Sequence, residues 1–135
     1  MSDQLYQEQI VALAKARTGA GKLANPTKSA RRDNPLCGDR VTIDVRLDGQ
    51  GKIAEIAHQV RGCLLCQASA SALSSIAIGR DAVGIAAARH EAERAVGREE
   101  GGAAGPFAAF APVAAHKSRQ ECVLLPFEAL KDALA

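Results

Sequence analysis

The sequence predicts an α+β fold, because strand patterns lie early in the chain and most helix patterns lie after them. Its 135 residues fit one domain of ordinary size, and we expect a single domain over 1–135. Hydrophobic residues make up 47% of the chain but aromatic residues only 3%, so Ala, Val, Ile and Leu must supply the core. Helices packed on a small sheet suit such a core.

The clearest strand patterns lie between residues 40 and 61. From Arg40 to Asp48 apolar and polar side chains alternate strictly, as a half-buried strand requires. The residues DGQGK predict a hairpin turn, and Ile53 to Arg61 is the return strand. One face of this strand carries Ala54, Ile56, His58 and Val60. We expect His58 to be a packing residue rather than a ligand. Periodicity does not resolve residues 22–36, and whether they include a short edge strand stays open.

Four segments have the apolar spacing of helices, namely residues 3–17, 63–78, 81–96 and 119–134. The second is small and apolar nearly all round, so we expect a buried helix that Gly79 ends. Residues 99–117 are rich in Gly, Ala and Pro and are predicted to form a loop or flap. We expect His90 to be exposed, and we leave open whether this loop folds His116 back towards a site.

Charge and hydropathy exclude several classes of function. Lys and Arg number 17 against 15 Asp and Glu, an excess too small and too dispersed for nucleic-acid binding. The interleaved charges of the first residues exclude a signal peptide, and no apolar run approaches the roughly 20 residues of a membrane span. We therefore expect a cytoplasmic protein with neither nucleic acid nor membrane as partner.

The four cysteines are the candidate functional residues. In a reducing cytosol, spaced cysteines are more often metal-binding or catalytic than disulfide-bonded. Cys63 lies at a predicted strand-to-helix junction and Cys122 in the first turn of the last predicted helix, where the helix dipole favours the thiolate. Cys37 precedes Asp39 by two residues. Three thiolates and a carboxylate suit zinc or an iron–sulfur cluster, although free cysteines are also common as small buried hydrophobes.

Three motifs carry a resemblance to a known family. NPLCGDR, GCLLCQASAS and RQECVLLPFEAL occur in an order that resembles the U-type iron–sulfur cluster assembly proteins, the IscU, NifU N-domain and SufU group. The resemblance spans residues 3–134 and is closest to the SufU branch. It implies a small antiparallel sheet of about three strands covered by helices, with Cys37, Cys63 and Cys122 at one exposed end.

The resemblance also implies a function and roles for these residues. Cys37, Cys63 and Cys122 would bind zinc or an iron–sulfur cluster, most often [2Fe-2S], with Asp39 as the acidic ligand or as a residue that labilises the cluster. Cys122 would accept sulfur from a cysteine desulfurase, and sulfur or a cluster would pass to recipient proteins or a carrier. Glu121 replaces the histidine of IscU-type members, and their LPPVK segment is absent. Both departures favour a SufU-like role, in which zinc is bound and persulfide is received from a cysteine desulfurase, over that of a classical chaperone-assisted scaffold. We expect a scaffold or a zinc-dependent sulfurtransferase rather than a conventional enzyme.

Cys66 departs from the family pattern, in which an apolar residue is usual at this position. Three residues after Cys63, it is a further candidate ligand, a resolving thiol or a packing residue, and the sequence leaves these open. A thiol-disulfide oxidoreductase using Cys63 and Cys66 is the alternative function. It leaves Cys37, Asp39 and Cys122 without a role. Arg40 and Arg119, which flank candidate ligands, either offset thiolate charge or are simply solvated.

Overall fold

A computed structural model of the chain describes residues 8–34, 38–98 and 105–135. In chain order the elements are α1 (Glu8–Ala16), β1 (Lys28–Asn34), β2 (Asp39–Leu47), β3 (Ile53–Arg61), α2 (Leu64–Ala77), α3 (Ala82–Ala95), a run of 3₁₀ turns (Gly105–Ala115) and α4 (Lys117–Leu134). This is the predicted α+β architecture. None of the helices in these three ranges is both long enough and apolar enough to span a bilayer.

The three strands form one antiparallel sheet in the order β1-β2-β3. The strand left open within residues 22–36 is therefore present, as the edge strand β1. The predicted hairpin turn is confirmed, since the backbone N–H of Asp48 donates to the carbonyl of Lys52 at 2.8 Å. Val41, Ile43 and Val45 of β2 are buried on the core face of the sheet, as their alternation predicts.

The inward face of β3 differs from the prediction at its start. A register shift between Arg46 and Leu47 of β2 places Leu47 opposite Ile53. Ile53 is consequently buried, whereas Ala54 is exposed. An extra residue in a strand reverses the faces beyond it, and alternation within a single strand cannot reveal such a bulge.

Two helices cover the core face of the sheet. α4 packs on β1 and β2 and contacts α2, which in turn packs on β3 and α1. α2 is buried along most of its length by small residues, among them Ala68, Ser69, Ala70, Ser71, Ala72 and Ser74. Small side chains let neighbouring elements approach closely, as predicted for this segment. Gly79 follows the helix with φ +86°, a conformation in which glycine is not strained.

The prediction of a loop or flap was wrong for the part of residues 99–117 that the structure describes. Gly105–Ala115 forms 3₁₀ turns that bury Phe107, Phe110 and Val113. The ring of Phe107 lies 5.3 Å from that of Phe127 on α4, centroid to centroid. Burial of these large apolar side chains stabilises a segment whose Gly, Ala and Pro content alone favours irregular structure. Residues 99–104 lie outside the described ranges.

α4 begins at Lys117, two residues earlier than predicted. Cys122 is therefore in the second turn of the helix and not in the first. The influence of a helix dipole on a side chain falls off within the first turn, so the dipole argument for the Cys122 thiol was wrong.

Candidate metal centre

Three chemistry-bearing side chains meet at one end of the sheet. Asp39 is the first residue of β2, Cys63 joins β3 to α2, and Cys122 lies on α4. A carboxylate oxygen of Asp39 and the two thiol sulfurs all lie within 4.8 Å of one another. Cys37, the predicted fourth member, lies outside the described residues, so its participation stays a prediction.

Asp39 is held at the beginning of α2. Its carboxylate is buried, its Oδ1 accepts from the backbone N–H of Cys63 at 3.2 Å, and its Oδ2 lies 3.6 Å from Cys63 Sγ. The first N–H groups of a helix have no partner within the helix, so a carboxylate there is stabilised by hydrogen bonding and by the helix dipole. The backbone of α2 thus positions the acidic member of the cluster.

Gly62 provides the space that this contact requires. A Cβ atom at this position would lie 2.7 Å from both Cγ and Oδ1 of Asp39, closer than real Cβ contacts allow. Gly62 does not have a positive φ, so the requirement is for space rather than for backbone freedom. Reasoning from the sequence did not assign this role. In the sequence, the only indication of this role is that a glycine immediately precedes Cys63.

The environment of Cys63 favours its thiolate. A hydrogen bond from the thiol of Cys122 is the largest cause, and together with the backbone N–H of Cys66 it lowers the pKa of Cys63 from 9.0 to about 7. Burial and the negative charge of Asp39 act in the opposite direction. Thiolates are the form in which cysteines bind metals and attack sulfur.

The structure buries Cys122 completely. The resemblance implied that the cysteines lie at an exposed end of the fold, and for Cys122 this is wrong because α4 is packed into the core. The hydroxyl of Ser69 on α2 donates to the backbone carbonyl of Val123, which ties the two helices together beside the thiol.

Glu121, which stands where IscU-type members have a histidine, forms an ion pair with Arg98. The same arginine donates from Nε to Oε1 of Gln120 at 3.1 Å, and Nε2 of Gln120 donates to the carbonyl of Val96 at 2.9 Å. These contacts fasten the end of α3 to the beginning of α4. Glu121 therefore acts in packing two elements beside the cluster.

An open cleft of about 770 Å³ gives access to the cluster. Its lining comprises Asp33, Asn34, Gly38, Asp39, Arg40, Arg61, Gly62 and Cys63. Arg40 donates to Asp33 Oδ1 at 2.8 Å, so a carboxylate already balances part of its charge. Cys63, which is half-buried, is the described cysteine that lines this cleft.

Cys66 is fully buried and belongs to the hydrophobic core. It is not a member of the three-residue cluster, and Cys63 and Cys66 are both thiols with no disulfide between them. This placement agrees with the packing interpretation and does not favour the oxidoreductase alternative.

None of the three histidines belongs to the described cluster of Asp39, Cys63 and Cys122. His58 is buried and donates from Nε2 to the carbonyl of Thr18 at 2.8 Å, as a packing residue would. His90 is exposed, as expected, with Nδ1 3.6 Å from Glu93. His116 is the residue before the first turn of α4, where it does not join the Asp39, Cys63 and Cys122 group.

Comparison with known families identifies one match across nearly the whole chain. A family model described as the NifU-like N terminal domain matches residues 5–133. The chain is 27% identical over 132 residues to the iron-sulfur cluster assembly scaffold protein IscU of Thermotoga maritima, covering 96% of this chain and 92% of that protein. It is 34% identical over 67 residues to the bifunctional protein NifU/MnmA of Rubrobacter xylanophilus, of which it covers 14%.

Solved structures share the same fold. The N-terminal NifU-like protein of Brucella abortus superposes with a TM-score of 0.87 at 32% identity, covering 98% of this chain and 93% of that one. A putative iron-sulfur cluster assembly scaffold protein for the SUF system, from Fervidobacterium islandicum, superposes with a TM-score of 0.89 at 29% identity over the full length of both chains. The three-stranded antiparallel sheet covered by helices is thus a shared architecture.

Proposed function

This chain belongs to the family of NifU-like N-terminal domains, and from that premise we propose that it accepts sulfur from a cysteine desulfurase and binds zinc or an iron–sulfur cluster. The family supports a role as a scaffold in iron–sulfur cluster assembly. The observation that carries the finer proposal is the convergence of Asp39, Cys63 and Cys122 within 4.8 Å at an open cleft. The proposal treats 1–135 as one cytoplasmic scaffold domain.

The chemistry of this donor set fits the proposed metals. Zinc binds thiolate sulfur at about 2.3 Å and carboxylate oxygen at about 2.0–2.2 Å in a tetrahedral arrangement. Asp39, Cys63 and Cys122 supply three of four such donors, and Cys37 is the proposed fourth. Thiolates are equally the ligands of iron–sulfur clusters, so the same residues suit a [2Fe-2S] cluster carried as cargo.

Sulfur transfer needs a thiolate acceptor. In the proposed step a thiolate of this chain attacks the outer sulfur of a persulfide on the desulfurase, so one S–S bond breaks and one forms. The desulfurase leaves as a thiolate, and no further oxidant or reductant is required. We assign the acceptor to Cys122. Sulfur or an assembled cluster then passes to a recipient iron–sulfur protein or a carrier.

Because Cys122 is buried, transfer to it requires part of α4 to move. Pro126, four residues further along the helix, has no N–H group and cannot donate to the carbonyl of Cys122 as an ordinary helical residue would. The helix therefore lacks one of its own hydrogen bonds at this residue. Cys63, which lines the cleft, is the competing acceptor within the cluster.

Reconstitution tests the cluster proposal. Wild-type protein incubated anaerobically with iron, sulfide and reductant should develop visible absorption, and protein as purified should contain zinc. Cys37→Ala and Cys63→Ala variants should lose both, since each removes a proposed ligand. Cys66→Ala is the matched control and should retain both, because Cys66 packs in the core. Equal reconstitution of wild type and Cys63→Ala would contradict the proposal.

Desulfurase assays separate the two versions of the function. Stimulation of a cysteine desulfurase without cluster formation selects the zinc-dependent sulfurtransferase, whereas cluster formation followed by transfer selects the scaffold. Mass spectrometry of proteolytic fragments after turnover identifies the acceptor by the mass of one added sulfur atom. Sulfur found on Cys63 or Cys37 instead of Cys122 would overturn the assignment of the acceptor.

A further inference from the structure

The outer edge of β3 is only partly covered. The backbone N–H of His58 donates to the carbonyl of Gly19 at 2.7 Å, and its carbonyl accepts from the N–H of Gly21 at 2.9 Å. These bonds form a single parallel bridge between Ala20 and His58. Beyond Gly21 the chain leaves the edge, and the N–H of Leu23 donates instead to Asp44 on β2, at 3.2 Å.

At the start of β3 this edge is also covered, because Ile53 exchanges backbone hydrogen bonds with Gly79 and Arg80, at 2.8 and 2.9 Å. It is open at the other end of the strand, beyond His58. Backbone groups of alternate residues in a strand point in the same direction, so Val60 directs its N–H and C=O outward as His58 does. In the part of the chain that the structure describes, no strand pairs with β3 beyond His58 on this side. An unpaired strand edge is a ready template for an added strand.

A cavity of about 510 Å³ lies along this open edge. It is lined by Ala14, Arg17, Ala20, Gly21, His58, Gln59, Val60, Arg61 and Gln67. The lining contains two arginines and two glutamines but no carboxylate. The cavity is therefore electropositive, whereas the lining of the neighbouring cleft includes Asp33 and Asp39.

The two arginines of the cavity have no acidic partner among the residues that the structure describes. Neither Arg17 nor Arg61 forms an ion pair with any residue that the structure describes, in contrast to Arg40 with Asp33 and Arg46 with Glu55. Arg17 also has a φ of +50°, a left-handed conformation that is unfavourable for residues other than glycine and asparagine. Its guanidinium forms no hydrogen bond with a described residue that would offset this cost.

We propose that this edge, from His58 to Arg61, binds an extended acidic segment of a partner protein. The segment would pair with the backbone of Val60 as an added strand, and its carboxylates would bind the guanidinium groups of Arg17 and Arg61. The site adjoins the metal centre, because Arg61 lines both cavities and Nε2 of Gln67 donates to the carbonyl of Gly62 at 3.2 Å. A partner docked here lies beside Cys63. The inference does not depend on metal binding.

A designed peptide tests the proposal. We would measure the fluorescence anisotropy of a labelled peptide of alternating valine and glutamate mixed with the full chain, and compare a peptide of alternating valine and lysine. The acidic peptide should bind, more weakly as salt rises, and the basic one should not. Arg61→Gln and Arg17→Gly should each weaken binding about two- to fivefold, the range of an exposed ion pair. Arg31→Gln is the matched control, since Arg31 is exposed on β1, at the opposite edge of the sheet.

Two further readouts separate strand pairing from simple attraction of anions. Arg17→Gly should raise the midpoint of thermal unfolding or leave it unchanged, because glycine relieves the left-handed conformation, while peptide binding still weakens. An acidic peptide methylated on alternate backbone nitrogens should not bind, and inorganic phosphate at matched ionic strength should not displace the parent peptide. Equal binding of the methylated peptide, displacement by phosphate, equal binding of the basic peptide or no binding of the acidic peptide would each overturn the proposal.

Discussion

Cys63 and Cys122 belong to one cluster but lie in opposite environments. Cys63 begins α2 and is half-buried beside an open cleft, whereas Cys122 lies in the second turn of α4 with no exposed surface. The first accepts hydrogen bonds from backbone N–H groups of α2 and lies beside a carboxylate, whereas the second belongs to the hydrophobic core and reaches the cluster from within it. One thiol is accessible to chemistry, and the other is held in place by packing.

The origin of each environment differs as well. The surroundings of Cys63 are mostly local, because Gly62, the N–H groups of the first turn and the junction itself are adjacent in sequence. The surroundings of Cys122 depend on how α4 packs against α2 and the sheet. Changes near Cys63 should therefore act on metal binding and reactivity, and changes at Cys122 should act on stability as well.

The largest expected effect comes from filling the space that Gly62 leaves. Gly62→Ala places a Cβ 2.7 Å from Asp39, so the carboxylate must move away from Cys63. We expect zinc affinity, measured by competition with a chromophoric chelator, to fall about 10- to 100-fold, as for other residues that orient a ligand.

Gly49→Ala is the control for this change, because a Cβ there meets no atom within 4 Å and Gly49 has no positive φ. It should leave zinc affinity unchanged. In an Asp39→Ala background Gly62→Ala should have no further effect on affinity, since the residue it displaces is gone. Equal losses with and without Asp39 would show that Gly62 acts by another route.

The next effect concerns the reactivity of Cys63 in metal-free protein. Cys122→Ala removes the hydrogen bond that contributes most to lowering the pKa of Cys63 to about 7. The pKa should rise, so alkylation of Cys63 at neutral pH should slow by about fivefold for the first unit of the rise, because the thiolate fraction falls. Peptide mapping after timed alkylation across a pH series measures this, and identical pH midpoints for variant and wild type would contradict it.

A smaller effect separates the two cysteines by stability. In metal-free protein Cys122→Ala should lower the free energy of unfolding by about 1 kcal/mol, because it leaves a cavity in the core. Cys63→Ala should change it by less than about 0.5 kcal/mol, as expected for a residue at a partly exposed position. Urea unfolding followed by circular dichroism measures both. The contrast between the two sites fails if Cys63→Ala destabilises as much as Cys122→Ala.

The smallest effect concerns His58, a buried titratable group outside the cluster. Burial lowers its pKa below the ordinary value of 6.5, the carbonyl of Thr18 opposes this shift, and the charge of Arg17 adds to it. The unfolded chain therefore binds a proton more readily than the folded one as pH falls below 6.5. The stability that a neutral His58 gives the folded protein is complete above pH 6.5. It is lost progressively as the pH falls towards the lower pKa that His58 has in the folded protein.

We accordingly expect the free energy of unfolding to fall as the pH is lowered from about 7 to about 6, because the unfolded chain takes up the proton of His58 first. His58→Gln should reduce this slope, as measured by urea midpoints at both pH values. An unchanged slope in His58→Gln would contradict the prediction.

Much of the fold could be predicted because its patterns are local. Alternation defined β2, the turn residues after Asp48 defined the hairpin, and the small residues after Cys63 defined a buried helix. The three motifs led to the family, which the comparison with known proteins confirms. For the site, Asp39, Cys63 and Cys122 lie within 4.8 Å of one another, and their roles stay predictions. Cys37 lies outside the described residues.

The sequence by itself thus determined the period of each main element, the order of the motifs and the residue types available for a metal. Only the tertiary structure decided that Phe107 and Phe110 are core residues, that the register shifts at Leu47 and that Cys122 is buried. Periodicity reports which faces of one element are apolar, but the position of a side chain depends on what packs against it. Gly62 shows the same limit, since the atom that requires its small size belongs to Asp39, on a different strand.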